Sequence, residues 1–219
     1  MENQELRSLL NKAKKEKWEE LDLSGMKLSS LPSEILGLDQ LRSVDISVND
    51  FPEIPQVVFQ IKNLERLEVV KTGLKLLSPQ IGQLENLSYL SVANNQLSSL
   101  PDEIFQLQKL AELHLSINQL TAISPEIARL ENLRVFYARE NQLTSLPSEI
   151  GRLSNLRLFD VQNNKLRSLP KSMTKLTELI ELSVKGNKDL PISTEILNRY
   201  EYDDPGYIIK YLKSQGGLD

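Results

Sequence analysis

The chain of 219 residues contains no cysteine and a single histidine. Without thiols there is neither a disulfide framework nor a thiolate metal site. With His114 alone, a histidine-rich metal site is also excluded, and any metal would need Asp or Glu for its remaining ligands. No cofactor is expected. Long apolar runs are missing too: nothing approaches the roughly 18 apolar residues of a membrane span. The opening, MENQELRSLLNKAKKEKW, carries acidic residues early and lacks the apolar core of a signal peptide. The expected location is therefore the cytoplasm. Neither sign of charge dominates, with 26 Lys and Arg against 30 Asp and Glu. A general grip on nucleic acid is not expected from that balance.

What the chain does have is a repeat. From Leu87 to Gln108 it reads LSYLSVANNQLSSLPDEIFQLQ. Leu87, Leu90, Val92, Asn95 and Leu97 fill the template L-x-x-L-x-L-x-x-N-x-L, and Leu100, Pro101, Ile104 and Leu107 fill x-x-L-P-x-x-I-x-x-L. The template starts at Trp18, Leu41, Leu64, Leu87, Leu110, Leu133, Leu156 and Leu179, each 23 residues after the last. In the L-x-L portion alternate residues face opposite ways, so Leu90 and Val92 point inward while Tyr89, Ser91 and Ala93 point outward. Asn95 stands where the chain leaves the strand, and its amide can both donate to and accept from loop backbone groups. Pro101 fixes one φ and needs no donor, which suits an extended or 3-10 return path. A single coil of this kind buries too little to hold itself together, so stability must come from stacking.

This template is the leucine-rich repeat signature, and the chain resembles the short L-P-x-x-I type found in bacteria and in Ras-suppressor-like eukaryotic proteins. The resemblance implies an α/β fold: a curved right-handed solenoid, a parallel β-sheet on its concave face, short 3-10, irregular or helical convex segments, and helical caps at both ends. One domain is expected over 1–219, with a capping helix at 1–17, eight repeats over 18–190 and a C-terminal cap at 191–219. Extracellular members commonly carry cysteine-rich caps, so the lack of cysteine favours a reducing interior or a bacterial source.

Within the array the expectations vary by coil. Residues 3 to 17 read as a helix with Leu6, Leu9, Leu10 and Ala13 on one face, suited to covering an open coil. A membrane-surface helix is the alternative, because Lys12, Lys14, Lys15 and Lys17 make one end basic. Met26 stands at the asparagine place of the first coil, which should be the least regular. Thr72 takes that place in the third. The proline is displaced by one in Leu77-Ser78-Pro79 and Ile123-Ser124-Pro125, which predicts local changes of the convex turn. After Asn187 the template ends, and Asp204 with Pro205 reads as the start of a helix whose Tyr207, Ile208, Tyr211 and Leu212 would cover the last coil.

The stretches KKEKWEELDLSGMKLSSLPSEI and GNKDLPISTEILN, the latter followed by Asp203-Asp204-Pro205, resemble the boundaries of the repeat region in bacterial Roco proteins. In that family the repeats precede a Ras-like GTPase domain, which implies a link to small-GTPase signalling. No G-x-x-x-x-G-K-[ST] run occurs, so no nucleotide chemistry is assigned to these residues. The chain is read either as the repeat region of something longer or as an independent adaptor.

Outward residues of the strands form columns about 4.8 Å apart. The third template position gives Glu20, Ser43, Arg66, Tyr89, Glu112, Val135, Leu158 and Glu181; the fifth gives Asp22, Asp45, Glu68, Ser91, His114, Tyr137, Asp160 and Ser183. The first third is acidic, with Glu19, Glu20, Asp22, Asp45, Glu65 and Glu68 tempered by Arg42 and Arg66. From the fourth coil the face turns aromatic and mixed. Tyr89, His114, Val135, Tyr137, Arg139 and Leu158 gather there, Glu112 and Asp160 share the columns, and Arg134 and Arg157 flank them. Tyrosine and arginine are enriched at binding hot spots. The expected function is a non-catalytic interaction scaffold that binds a protein or peptide here as a monomer, with the acidic columns steering a basic segment. The competing explanation is ordinary surface variation, or cross-strand packing such as Val135 against Leu158.

Ser91, His114 and Asp160 share one column, but Asp160 is two spacings from His114 with Tyr137 between, so no triad is expected and the chain is read as no enzyme. A bacterial effector engaging host proteins and a self-associating structural module remain as alternatives.

Overall fold

The computed structural model describes residues 2–191, with side chains from residue 4. Helix α1 spans Glu2–Glu16. Eight three-residue strands follow: β1 Glu20–Asp22, β2 Ser43–Asp45, β3 Arg66–Glu68, β4 Tyr89–Ser91, β5 Glu112–His114, β6 Val135–Tyr137, β7 Leu158–Asp160 and β8 Glu181–Ser183. They form one open parallel sheet in chain order. Each strand pairs with the next at an offset of 23, as in Tyr89 opposite Glu112 and Ser91 opposite His114. The middle residue of every strand points inward, and the row from Leu21 to Leu182 is almost wholly buried. Phe136 and Phe159, successive members of that row, stack at 5.4 Å.

Behind the sheet the chain returns through five-residue 3-10 turns, at Ser33–Gly37, Gln56–Gln60, Pro79–Gln83, Asp102–Gln106, Pro125–Arg129, Ser148–Arg152 and Lys171–Lys175. Their starts are again 23 apart, so the displaced prolines do not alter the turn, contrary to the expectation from the sequence. In the usual coil proline precedes the turn in an extended conformation, as Pro101 does. In the third and fifth coils Ser78 and Ser124 take that place, accept from Gln80 N and Glu126 N, and leave proline as the first turn residue. Proline's fixed φ fits both positions, and serine supplies the cap.

Between strand and turn runs a ladder of asparagines. Asn49, Asn95, Asn118, Asn141, Asn164 and Asn187 each donate through Nδ2 to a carbonyl of the preceding coil, respectively Leu23, Val69, Val92, Leu115, Ala138 and Val161. Each Oδ1 accepts an amide of that coil, from Leu28 N to Leu166 N. Where Thr72 replaces asparagine, Phe51 N donates instead to the Thr72 backbone carbonyl at 3.1 Å.

The residue before each ladder position adopts a left-handed conformation in all eight coils: Gly25, Val48, Lys71, Asn94, Ile117, Glu140, Asn163 and Gly186. Glycine and asparagine suit this region, whereas a β-branched side chain is strained in it. Ile117 has φ of 58° and is 36% exposed, so it gains little burial in return. Ile117→Asn should therefore raise stability by about 1 kcal/mol, read as a higher denaturation midpoint. A lower midpoint would show that Ile117 contributes packing that outweighs its strain.

Helix α1 lays Leu6, Leu10 and Ala13, all buried, against the first coil, with Leu9 and Trp18 packed beside them. Lys12 Nζ lies 5.6 Å from the Trp18 ring, and Arg7 reaches Glu34 at 3.9 Å. The apolar stripe is thus spent on the coil end, which favours capping over a membrane-surface role. No helix among the described residues is long and apolar enough to cross a membrane. The expected C-terminal helix lies outside the described residues.

Candidate functional site

The register of the sheet brings the outward side chains into two columns, and a diagonal strip crosses them from β3 to β7. It begins at Arg66, whose guanidinium carbon lies 3.4 Å from the centroid of the Tyr89 ring. Arg66 is held there by Glu68, two residues on along the same face, through nitrogens at 2.9 and 3.0 Å from one carboxylate oxygen. Tyr89 packs against His114 at 4.8 Å, and His114 meets Tyr137 edge to face at 4.9 Å. Tyr137 stands in register with Asp160, and Val135 with Leu158. The rings are half-buried because they cover one another. Part of the aromatic cluster is accordingly cross-strand packing, worth about 0.5–1.5 kcal/mol per pair.

The titration of these groups follows from that packing. Burial between the tyrosines lowers the His114 pKa below its ordinary value, against the pull of Glu112, so the ring is neutral at pH 7. His114 Nε2 lies 3.3 Å from Glu112 Oε2. A carboxylate only accepts, so a neutral imidazole must carry its hydrogen on Nε2 to make that bond. Burial raises the Asp160 carboxyl, offset in part by the Gln162 amide that it accepts at 2.9 Å. Burial likewise raises Tyr89 and Tyr137. For Arg66 burial works against the charge, but Glu68 and Tyr89 together more than restore it and the pKa ends above its ordinary value. The strip is thus aromatic in its middle, edged there by Glu112, with Arg66 and Glu68 at one end and Asp160 at the other.

All ten candidate residues lie on the strand side. Tyr89, Glu112, His114, Val135, Tyr137, Leu158 and Asp160 belong to the strands themselves. Arg134 and Arg157 sit one residue before β6 and β7, exposed along the lip where the strands begin. Arg139 lies beyond the other end of β6, 3.9 Å from Glu140. Two neighbours went unnoticed in the sequence. Arg66 counted there only as a moderator of acidic charge, although its place next to Tyr89 in the third-position column was visible. Ile180 continues the lip after Arg157 and is 60% exposed.

The acidic third is partly self-neutralised. Arg42 pairs with Glu65 and, at 3.8 Å, with Glu19. Among the described residues Glu20, Asp22 and Asp45 have no ion pair. Ser91, His114, Tyr137 and Asp160 follow one another in the register, so Tyr137 separates the imidazole from Asp160. Among the described residues no group of three or more His, Cys, Asp or Glu side chains could hold a metal ion. A hollow of about 720 Å³ lies behind the first coils, lined by Leu36, Phe59, Ile61 and neighbours. None of its lining residues belongs to the strip.

Strand, asparagine rung and 3-10 return, repeated in register, define a leucine-rich repeat solenoid. Residues 85–143 match the sequence profile described as leucine rich repeat. The fold is similar to that of a leucine-rich repeat protein of Leptospira interrogans, with 36% identity over 85% of this chain and a TM-score of 0.77. The chain spans 48% of that protein's length, about half. It is also similar to the ectodomain of the plant membrane receptor kinase GASSHO1/SCHENGEN3 from Arabidopsis thaliana, in complex with Casparian strip integrity factor 2. There the identity is 29%, the coverage 72% of this chain and 20% of that one, and the TM-score 0.65. The plant peptide hormone receptor RGFR1, in complex with RGF2, matches at 25% identity over 78% of this chain and 33% of that one, with a TM-score of 0.64. No curated protein sequence matches. The chain is a leucine-rich repeat protein.

Proposed function

We propose that the chain is a non-catalytic scaffold that binds a protein or peptide on its strand face. One observation carries this: aromatic and aliphatic side chains run unbroken across four strands on the solvent side of the sheet, from Tyr89 on β4 to Leu158 on β7, with Arg66 on β3 stacked at the head. An apolar strip that faces water on a sheet is what a partner can cover. The two plant receptors with similar folds are named in complex with their factors, one of them as a peptide hormone receptor. Glu20, Asp22 and Asp45 supply a negative approach for a basic part of the partner.

The test begins with affinity capture on the immobilised chain to identify a bound protein, followed by affinity measurements with purified components. Replacing both Tyr89 and Tyr137 with alanine should weaken binding at least about tenfold. Its cost in stability should stay near 1–2 kcal/mol, the worth of the two lost ring contacts. Collapse of the fold with undiminished binding by the folded fraction would reject the site.

We place the chain in the cytoplasm as a monomer, with a link to small-GTPase signalling resting on the Roco-like boundary stretches alone. The likeness to a Leptospira protein favours a second reading, a bacterial effector that engages host proteins. Export assays separate the two. Light scattering that showed a concentration-dependent mass would favour a self-associating module instead.

A further inference from the structure

The lip of the sheet is built differently at its two ends. In the first coils its charges alternate, Glu19, Arg42, Glu65, and they satisfy one another. In the sixth and seventh coils Arg134 and Arg157 stand on adjacent rungs, with Arg157 N donating to Arg134 O at 2.8 Å. Among the described residues no carboxylate pairs with either. The other three arginines on this side, Arg42, Arg66 and Arg139, each have a glutamate within reach. Two like charges on neighbouring rungs repel, so this pair is unfavourable in the free protein. The next rung is Ile180, 60% exposed, bonded through its amide to Arg157 O at 2.8 Å. Val135 and Leu158, half-buried and in register, lie immediately inward of the arginines.

The geometry points to this lip as the seat of an acidic-apolar protein segment. A carboxylate of an aspartate or glutamate sits between the Arg134 and Arg157 guanidinium groups, and a neighbouring aliphatic or aromatic side chain lies on Val135, Leu158 and Ile180. This rests on the reading of the strand face as a protein-binding surface and specifies what is bound at its C-terminal end. Guanidinium groups bind carboxylates through charge-assisted, often bidentate hydrogen bonds. The segment's negative charge removes the repulsion that the free lip carries. The apolar strip argues for a protein segment over a bare polyanion, which would leave those side chains uncovered. With a net charge of −4, the chain offers no extended basic track for nucleic acid.

The test uses the whole chain and a phage-displayed library of random dodecapeptides, with affinities of the enriched peptides then measured by fluorescence polarisation. Enriched sequences should place Asp or Glu beside Leu, Ile or Phe. Arg157→Glu should weaken their binding at least about tenfold. The same substitution restores alternating charge along the lip, so the melting temperature should hold or rise by about 1–2 °C. A merely structural arginine would lose stability instead. Enriched peptides that lack acids, or that bind Arg157→Glu as tightly as wild type, overturn the inference while leaving the broader site standing if Tyr89→Ala/Tyr137→Ala abolishes their binding. Poly-glutamate or a phosphopeptide without apolar residues binding equally well overturns it too. Failure of the wild-type chain to enrich any peptide counts against both the inference and the broader reading.

Discussion

Asn141→Ala should lower the stability of the chain by about 2–4 kcal/mol. The side chain is 7% exposed and serves two coils at once. Its Nδ2 donates to Leu115 O at 3.0 Å and to Ala138 O at 3.1 Å, and its Oδ1 accepts from Leu120 N at 2.9 Å. The two carbonyls are also reached by Asn118 and Asn164, so they keep a partner after the substitution. Leu120 N does not, since no other acceptor reaches it among the described residues. A buried amide left without a partner costs about 1–3 kcal/mol, and the loss of the remaining bonds and of packing adds to it. Thr72→Ala is the matched control. There Phe51 N already uses the backbone carbonyl, and the side chain loses only its 3.2 Å bond to Asn95 Oδ1. That change should cost under about 1 kcal/mol. Denaturant titration of both variants decides the matter. Equal losses would mean that the asparagine rung is no more than a place-holder for volume.

The same asparagines show how much of the fold could be read from the sequence. Period 23 settles which residues point inward, because the row from Leu21 to Leu182 and the row from Leu23 to Val184 are apolar in every coil and both are buried. It also yields the outward columns, which the observed register reproduces residue by residue. A second ladder follows the same period. Asn63, Asn86, Asn132 and Asn155, each just before a coil's first leucine, donate to carbonyls of Asp39, Lys62, Gln108 and Glu131 in the coil before. Exposed asparagines ordinarily signal little, so periodicity was the available clue. The left-handed row is half legible: Gly25, Asn94, Asn163 and Gly186 suit that conformation, whereas Val48, Lys71, Ile117 and Glu140 hide it.

For the candidate site the columns were legible, but the partners within them were not. Spacing alone puts Tyr89, His114 and Tyr137 near one another. It cannot tell that the rings tilt across from the third-position column to the fifth, or that Arg66 stacks on the first of them. Nor can it tell a satisfied charge from an unsatisfied one. Arg42 and Arg157 occupy the same template position, yet one sits between two glutamates and the other beside a second arginine. The difference lies in which residues occupy the neighbouring rungs, and it is readable only once the register is known. On that distinction rests the contrast between a self-neutralised N-terminal lip and one that attracts acid.

Gly151→Ala should destabilise the chain by about 2–3 kcal/mol. At an ordinary position this change would be neutral or favourable, because alanine narrows the unfolded ensemble. Gly151 is buried in the Ser148–Arg152 turn, behind β6, and the following turn passes directly over it. An added Cβ would stand 2.6 Å from Ser172 Cβ and closer still to the Ser172 carbonyl. The obstacle is backbone, which a rotamer change cannot remove, so one turn must move as a whole. Across the array this position carries Leu36, Phe59, Gly82, Phe105, Ala128, Gly151 and Thr174. Large side chains are therefore compatible with the template, and it is the local closeness of the sixth and seventh turns that forbids one here. Gly82 provides the comparison, since its Cβ would meet Glu103 at 3.1 Å, a contact that a small shift relieves. Gly82→Ala should accordingly stay within about 1 kcal/mol of wild type. If calorimetry found the two substitutions equivalent, the turns behind β6 and β7 would have to be free to separate, and close backbone contact could not be what sets their spacing.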